Sequence, residues 1–467
     1  MEYNLTPDEI LNEIARIRKE NNLPKDERVK ELSKFEIDNL PSIPDNWKWV
    51  IINDISEFIT NGVHTPTSTE DDNGFGLHCL RITDLKENGN IDYANLPYCL
   101  RIVEGDYDKK LKKDDIYFSF TGNNLGKRYI VKETREDTVF AHYFVRWHPI
   151  LVDPYYIYYV TYSKIYDYFI TANKHGSTQP NLKVMDLKRF PIPLCDLNIQ
   201  RKISKILKNI DDKIEVNNQI NDNLQKLINN LYVKYFVNFE EYTGEYKDTD
   251  LGMIPKSFNV DTLGNVITFS NGYGWNSKDM LDTNSENTYK VFKMGNINIG
   301  GGINKAKTKS WIDKEKANNL EQYISKKGDI LMCMTDMKNS GNPLLGHTAL
   351  IDKDDEFVIN QRVGIIRCDK NLGYSYVYTM SNLKHFINDI RSRANSGVQV
   401  NLTTKGICDT LVLVPDDDNL NKFQQVAEPL YEKIFNNNNE NETLEQLRET
   451  LLPKLMNGEI DLDKIEI

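Results

Sequence analysis

Two long stretches of the chain carry apolar residues at alternating intervals of three and four, a spacing typical of a helix packed lengthwise on another helix. In the first stretch the seam comprises Ile199, Ile203, Ile206, Ile210, Lys213, Asn217, Ile220, Leu224, Leu227 and Leu231. In the second it comprises Phe423, Ala427, Leu430, Ile434, Asn437, Asn441, Leu444, Arg448, Leu451 and Leu455. A lone polar seam residue such as Asn217 typically fixes the register of such a pair. We therefore predict two long helices that pair with each other as an antiparallel coiled coil, although two unrelated coiled coils that recruit other proteins would show the same spacing.

The segments that precede the two helices repeat each other in order, which favours the intramolecular pairing. IPDNWKWV from Ile43 corresponds to IPKSFNV from Ile254, and GSTQPNL from Gly176 corresponds to GVQVNL from Gly397. Between them, DDIYFSFTGNNLGKRYIV corresponds to GDILMCMTDMKNSGNPLLGHTALI. This pattern predicts an internal duplication, in which each copy is an α+β domain followed by a long helix.

The repeat sets the predicted domain limits. Residues 1–40 form a helical extension, which begins with a capping box at Thr6 and Glu9 and continues in a short second helix from Asp26 to Leu40. The remaining limits are 41–196 for the first globular domain, 197–250 for its helix and a hinge, 251–415 for the second globular domain and 416–467 for the last helix.

Charge is distributed unevenly along the chain. The net charge is −11, but residues 251–415 carry 20 basic and 16 acidic side chains, whereas residues 416–467 carry 5 and 13. An acidic helix can therefore coexist with a basic surface for nucleic acid, although an ordinary acidic cytosolic protein would fit the same totals.

The chain lacks a charged-then-apolar leader and any apolar run near 18 residues, so we expect neither secretion nor membrane insertion. Its six cysteines are scattered without a CxxC spacing. They are interpreted as the reduced thiols of a cytoplasmic protein.

No convincing catalytic or metal site is predicted. The run Asp153-Pro154-Tyr155-Tyr156 invites comparison with the D-P-P-Y signature of amino-methyltransferases, but its second proline is missing and no Gly-rich cofactor loop precedes it. We interpret the tyrosine-rich segment as an amphipathic helix with an aromatic core face. The seven histidines show neither HxH nor HExxH spacing.

A set of basic and amide residues on predicted loops is the remaining candidate site. Arginine and lysine can contact phosphates and guanine edges, and asparagine can pair with adenine edges. For each single residue a solvated surface position is the simpler explanation. The candidates for DNA contact are Arg81, Asn123, Asn124, Lys127, Arg128, Arg146, Lys174, Lys290, Lys293, Lys305, Lys307, Lys309, Lys338, Asn339, Arg391 and Arg393.

Over residues 41–460 the chain resembles the specificity subunit of a type I restriction-modification system. IPDNWKWV and IPKSFNV resemble the starts of its two target-recognition domains. GSTQPNL with FPIPL and IQRKISKIL resembles its domain-to-helix junction, LYVKYFVNF with DTDLGMIPKSF its central hinge, and LRETLLPKLMNGEI its ending. The second junction departs from the pattern, because GVQVNL lacks the proline and LNKFQQVAE lacks the Gln-Arg pair.

The resemblance implies that this chain would recognise DNA and that other subunits would carry out the catalysis. Each globular copy would bind one half of a split site in double-stranded DNA, and the paired helices would set the distance between the halves. S-adenosylmethionine would be bound by separate modification subunits, two in number. ATP and Mg would belong to a restriction subunit, which leaves this chain without a cofactor and without a catalytic residue.

Three other functions remain open at this stage. The chain would be a DNA methyltransferase with a degenerate motif if it bound S-adenosylmethionine alone. It would be a coiled-coil scaffold if it failed to bind DNA even with its partner. It would also suit the recognition subunit of another methyltransferase-based phage-defence system.

Overall fold

The computed structural model describes residues 4–59, 62–85, 91, 93–176, 180–337, 343–370, 372–395 and 399–462. Three residues singled out from the sequence fall outside this range: Gln179 in the first repeated loop, and the candidates Lys338 and Asn339.

The helices are α1 Pro7–Glu20, α2 Lys34–Asp38, α3 Ile52–Ile55, α4 Pro154–Val160, α5 Lys164–Asn173, α6 Val184–Leu187, α7 Leu197–Phe236, α8 Leu263–Val266, α9 Tyr374–Ser381, α10 Lys384–Ser392, α11 Thr404–Cys408 and α12 Asp417–Met456. The long helices α7 and α12 are therefore present as predicted. Among the described residues, no helix is both long enough and apolar enough to span a membrane.

The N-terminal extension forms one of its two predicted helices in full. In α1 the Thr6 N–H donates to the Glu9 carboxylate (2.9 Å), and the Thr6 hydroxyl accepts from the Glu9 N–H, which is the predicted capping box. The second helix is shorter than predicted. Because Ser33 is extended and caps α2 through the N–H of Glu36, the helical turn begins only at Lys34.

The chain divides into two compact units. The first unit contains residues 1–215 and 441–467, and the second contains residues 216–440. Each unit therefore includes one globular copy with a part of α7 and a part of α12, so the units end inside the helices.

The first unit contains the strands β1 Lys48–Ile51, β2 Ser56–Ile59, β3 Thr67–Ser68, β4 His78–Leu80, β5 Tyr98–Cys99, β6 Lys110–Leu111, β7 Ile116–Ser119, β8 Arg128–Ile130, β9 Arg135–Phe140, β10 Phe144–Pro149 and β11 Pro191–Leu194. Its sheets have the orders β2-β10-β7-β8, β3-β5-β4-β9-β6 and β1-β11. Strands β4 and β9 run parallel, and the other pairs are antiparallel.

The second unit contains the strands β12 Tyr246–Thr249, β13 Gly252–Pro255, β14 Asn259–Thr262, β15 Thr268–Asn271, β16 Thr288–Phe292, β17 Trp311–Asp313, β18 Ile330–Cys333, β19 Thr335–Met337, β20 Thr348–Leu350, β21 Phe357–Ile359, β22 Val363–Arg367, β23 Gln399–Asn401 and β24 Leu411–Val414. Its sheets have the orders β15-β22-β18-β20, β17-β16-β21, β14-β24, β19-β23 and β12-β13. The order β15-β22-β18-β20 repeats β2-β10-β7-β8, and the parallel pair β16 and β21 repeats β4 and β9. The predicted duplication is confirmed.

The tyrosine-rich segment after Asp153 packs into the core, as interpreted from its pattern. The Asp153 carboxylate caps α4 by accepting the N–H of Tyr156 (2.9 Å), and Pro154 opens the helix. The buried Tyr156 hydroxyl donates to the carbonyl of Pro193, and in the second unit the Tyr376 hydroxyl donates to the carbonyl of Leu413 (2.9 Å). Each tyrosine thus connects the helix after the central sheet to the last strand of its copy.

Helices α7 and α12 pack against each other in antiparallel orientation. In the second unit Asn221 donates to Asn438 (2.9 Å), and Gln225 donates to the hydroxyl of Tyr431 (3.4 Å). Residue numbers therefore rise along α7 as they fall along α12. In the first unit Asp211 of α7 accepts from Arg448 of α12.

The predicted seam of α7 coincides with the buried face at three positions and departs from it at Lys213, Ile220 and Leu227, which are exposed. Ile203, Ile210 and Asn217 are buried, but Leu227 is half-exposed and its neighbour Ile228 is buried instead. A straight α-helix repeats every 3.6 residues, so a strict 3.5-residue pattern drifts off the buried face as the helix lengthens. Five of the remaining seam residues are buried: Phe423, Ala427, Asn437, Asn441 and Leu455. The half-buried ones are Ile199, Ile206, Leu224, Leu231, Leu430, Ile434, Leu444, Arg448 and Leu451.

Candidate nucleic-acid interface

A tight turn joins β21 to β22 in the second unit. The N–H of Val363 donates to the carbonyl of Asn360 (2.9 Å), and the Asn360 side chain accepts from the N–H of Arg362 (3.3 Å). These two bonds close the turn from inside, so its two central residues, Gln361 and Arg362, are held at the outer corner. Both are exposed.

The strand segment after β15 approaches this turn at backbone distance. A Cβ atom on Gly272 would lie 2.3 Å from the carbonyl oxygen of Asn360, closer than real Cβ contacts come. Only glycine therefore lets the two backbones meet here. The next residue, Tyr273, pairs with Asn360 in a parallel bridge and places its ring 4.9 Å from that of Trp275.

The paired strands β19 and β23 contribute to the lining of the same space. The hydroxyl of Thr335 donates to the side-chain oxygen of Asn401 (2.8 Å), which joins the two strands beside the turn. Together the three segments surround an open cleft of about 490 Å³, here called the amide cleft. Its lining residues are Asn271, Gly272, Tyr273, Gly274, Thr335, Gln361, Arg362, Gln399 and Asn401.

The first unit has the same backbone frame. The N–H of Phe144 donates to the carbonyl of Ala141 (3.2 Å), which closes a turn between β9 and β10. A Cβ atom on Gly62 would lie 2.4 Å from the Ala141 carbonyl oxygen. Thr121 and Asn181 form an antiparallel bridge, as Thr335 and Asn401 do.

The side chains at the centre of the two turns differ. Gln361 and Arg362 are replaced in the first unit by His142 and Tyr143. Burial lowers the pKa of His142, and the neighbouring His64 ring, 4.4 Å away, lowers it further. At neutral pH the imidazole is therefore uncharged, with one donor and one acceptor nitrogen.

Several arginines of the first copy that were predicted to contact DNA interact with other residues of the protein instead. Arg81 pairs with Asp84 (2.8 Å), and the guanidinium of Arg128 lies 3.8 Å from the centre of the Tyr162 ring. Arg146 is only 4% exposed. Of the other first-copy candidates, Asn123 and Lys174 are exposed, whereas Asn124 and Lys127 are half-buried.

Arg146 forms part of a buried polar cluster. Its Nε lies 3.5 Å from the fully buried carboxylate of Asp115, which also contacts Nδ1 of His148 (2.7 Å). The second unit also contains a buried aspartate paired with an arginine, because Asp329 accepts a hydrogen bond from Nε of Arg367 (3.0 Å). This location gives Arg146 a structural role in place of the predicted DNA contact.

In the second unit the lysines of β16 and of the loop after it have polar partners within the protein. Lys290 and Lys305 both pair with Glu356, at 2.6 Å and 2.9 Å, and Lys293 donates to the hydroxyl of Ser310 (2.8 Å). On α10, Arg391 donates to backbone carbonyls and the C-cap residue Arg393 pairs with Asp389. Lys307 and Lys309 are exposed and remain candidates for phosphate contact.

The turn residues Gln361 and Arg362 and the cleft residue Asn271 were not predicted from the sequence. A signal was present, because the dipeptide Asn-Gly occurs at the same point of both copies, at residues 61–62 and 271–272. Asn181 and Asn401 close the repeated motifs GSTQPN and GVQVN, but their position beside the turns could not be inferred from the sequence. Among the described residues, no cluster of three or more metal-ligating side chains occurs.

Comparison with known proteins places this architecture in a recognised class. Residues 44–226 match the family model described as type I restriction modification DNA specificity domain. The MjaIX specificity subunit of Methanocaldococcus jannaschii is 26% identical over 66% of this chain and 70% of its own length. The MjaVIII subunit of the same organism is 20% identical over 93% of this chain and 96% of its own, and the HindI specificity subunit of Haemophilus influenzae is 22% identical over 89% and 100%.

The fold is also found in a solved structure. The crystal structure of the type I restriction-modification S subunit from M. genitalium superposes with a TM-score of 0.53 at 17% identity, covering 89% of this chain and 97% of the other. This chain likewise contains two copies of an α+β domain, each followed by a long helix. This chain is similar over most of its length to type I restriction-modification specificity subunits, and residues 44–226 match their DNA specificity domain.

The structural role of Arg146 leads to a first prediction. Arg146→Ala leaves the buried Asp115 without its arginine and should lower the free energy of unfolding by about 3–5 kcal/mol. Lys174→Ala, at an exposed position, should change it by less than about 0.5 kcal/mol. Urea denaturation followed by tryptophan fluorescence measures both, and equal stability of the two variants would contradict the role.

Proposed function

We propose that this specificity subunit binds a split site in double-stranded DNA, with each unit reading one half. The observation that carries the proposal is the pair of repeated turns, which share a frame but differ in their central side chains. A shared frame supports the same kind of ligand in both units, and different side chains support different base sequences.

The chain directs chemistry that other subunits perform. Its D-P-Y-Y segment is explained by the capping of α4 and by core packing, and its relatives are named specificity subunits. We assign S-adenosylmethionine to modification subunits, and ATP and Mg to a restriction subunit. Methylation then requires the complex, and the specificity subunit decides where it occurs.

Exchanging the globular domain of the first unit tests whether each unit recognises one half of the DNA site. Residues 44–196 replaced by the equivalent segment of a relative should change one half of the methylated sequence and leave the other half and the spacer unchanged. The measurement is methylome sequencing of a host that expresses the variant with its modification subunit. The unaltered chain is the control, and a change in both halves would contradict separate readers.

The paired helices are proposed to set the spacing between the half-sites. Each contains 40 residues, which corresponds to about 60 Å of helix. Asn437 donates to Asn221 across the pair (2.8 Å), which provides a matched point for insertions.

Four residues inserted beside Asn221 in α7 and four beside Asn437 in α12 add about 6 Å to each helix. At roughly 3.4 Å per base pair, the methylated site should gain one or two base pairs in its spacer, with both half-sites preserved. Circular dichroism checks that the helices remain intact. A folded variant that methylates with the original spacer would exclude the helices as the determinant of spacing.

Two equivalent apolar positions support two modification subunits. Leu227 of α7 is 51% exposed and Leu447 of α12 is 45% exposed, and each lies the same number of residues from the start of its helix. On α7, Val216 and Ile220 lie on the same helical face as Leu227 and are also exposed. Such a stripe on a helix favours burial against a partner.

Leu227→Glu and Leu447→Glu should each reduce the complex from two bound modification subunits to one, and the double variant should bind none, because a carboxylate cannot be buried there without a partner. Light scattering of the purified complexes gives the stoichiometry. Lys226→Glu, which places a carboxylate at the neighbouring exposed position, is the matched control. Unchanged stoichiometry in the double variant would exclude these sites.

A further inference from the structure

The amide cleft has the chemistry of a base-reading surface. Its amide side chains, among them Asn271 and Gln399, offer both hydrogen-bond donors and acceptors, and the described residues that line it include no carboxylate. Phosphate oxygens accept hydrogen bonds only, so a phosphate site would favour donors and cations. Base edges in the major groove present donors and acceptors side by side, which amides can match.

Arg362 is the charged member of the cleft lining. Its backbone N–H is held by Asn360, and in the described part of the chain its guanidinium has no hydrogen-bond or ion-pair partner. This contrasts with Lys290, Lys305 and the other cations paired with carboxylates in the same unit. The planar fork of an arginine matches the N7 and O6 acceptors of guanine in a bidentate contact.

Some residues around the turn are the same in both units, whereas the residues at its centre differ. Gly62 and Gly272, Thr121 and Thr335, and Asn181 and Asn401 repeat in identity and in contact. The two central positions of the turn do not repeat. A residue pair that changes while its support stays constant has the features of a specificity determinant.

We infer that the turn Asn360–Val363 is the base-reading element of the second unit, in which Arg362 reads a guanine and Gln361 contacts the adjacent base pair. In the first unit the same place is taken by His142 and Tyr143, which read a different sequence. The inference rests on the proposed function and names the residues through which that function discriminates.

Substitution of Arg362 separates base reading from phosphate binding. Arg362→Ala should lower discrimination at one guanine of one half-site by about 5- to 150-fold, the range expected for the loss of one good bidentate base contact, and leave the other half-site unchanged. Arg362→Lys keeps the charge without the fork, so it should lose most of this discrimination while retaining overall affinity. Lys309→Ala, at an exposed position, is the control and should weaken all sequences alike.

A chemical probe identifies the contacted atom. The assay measures anisotropy of a labelled duplex with the complex of specificity and modification subunits. Replacing the guanine by 7-deazaguanine removes the N7 acceptor and should weaken binding by the unaltered complex by roughly fivefold, the lower end of that range. The same replacement should not weaken the Arg362→Ala complex further, since the contact is already absent.

The outcomes distinguish the inference from the function on which it rests. If the unaltered chain gives a split methylated site but the Arg362 variants keep the same site and efficiency, the assignment of the turn is overturned and split recognition stands. Uniform weakening by Arg362→Ala across all sequences would indicate a phosphate contact and would also overturn it. If the unaltered chain gives no split site, the proposed function fails first. Thermal unfolding confirms that each variant folds.

Discussion

The packing of α7 against α12 is the constraint on which both units depend. An apolar stripe along a long helix is stable only when another surface covers it. In the first unit the core includes Ile203 and Leu207 of α7 together with Leu455 of α12. In the second it includes Ile228 and Tyr232 of α7 together with Phe423 of α12. The helix pair is therefore part of each hydrophobic core, and neither globular copy is completed by its sheets alone.

Polar groups within the pair make its alignment specific. Asn217 and Asn437 are nearly inaccessible to solvent, and their amides donate to Glu440 and Asn221 at 2.8 Å each. A buried amide without a partner costs free energy, so a slip along the seam would leave these groups unsatisfied. Leucine at the same positions would tolerate several registers. The asparagines thus favour one alignment of α7 and α12.

The backbone around the turn is the same in both copies, which explains how one architecture supports two turns with different central side chains. The glycine that meets the turn and the Thr–Asn pair beside it recur in both copies because they determine where the backbones run. Gln361 and Arg362 are exposed at the corner of their turn, so these positions can differ without disturbing the frame. Stability and specificity are therefore located on different residues of the same cleft, and a change of reader leaves the sheet order intact.

Local and periodic features of the fold were determined by the sequence itself. The capping box at Thr6, the helix opened by Pro154 and the two long helices depend on neighbours within a few residues, and the duplication is visible as repeated motifs. The phase of the seam at Leu227 was not predictable, because the 3.6-residue drift of a straight helix decides which side chain is buried. The ion pair of Lys290 was not predictable either, because its partner Glu356 is distant along the chain. The amide cleft depends on the approach of Gly272 to Asn360, a contact between segments far apart in sequence, and only the tertiary structure brings such segments together.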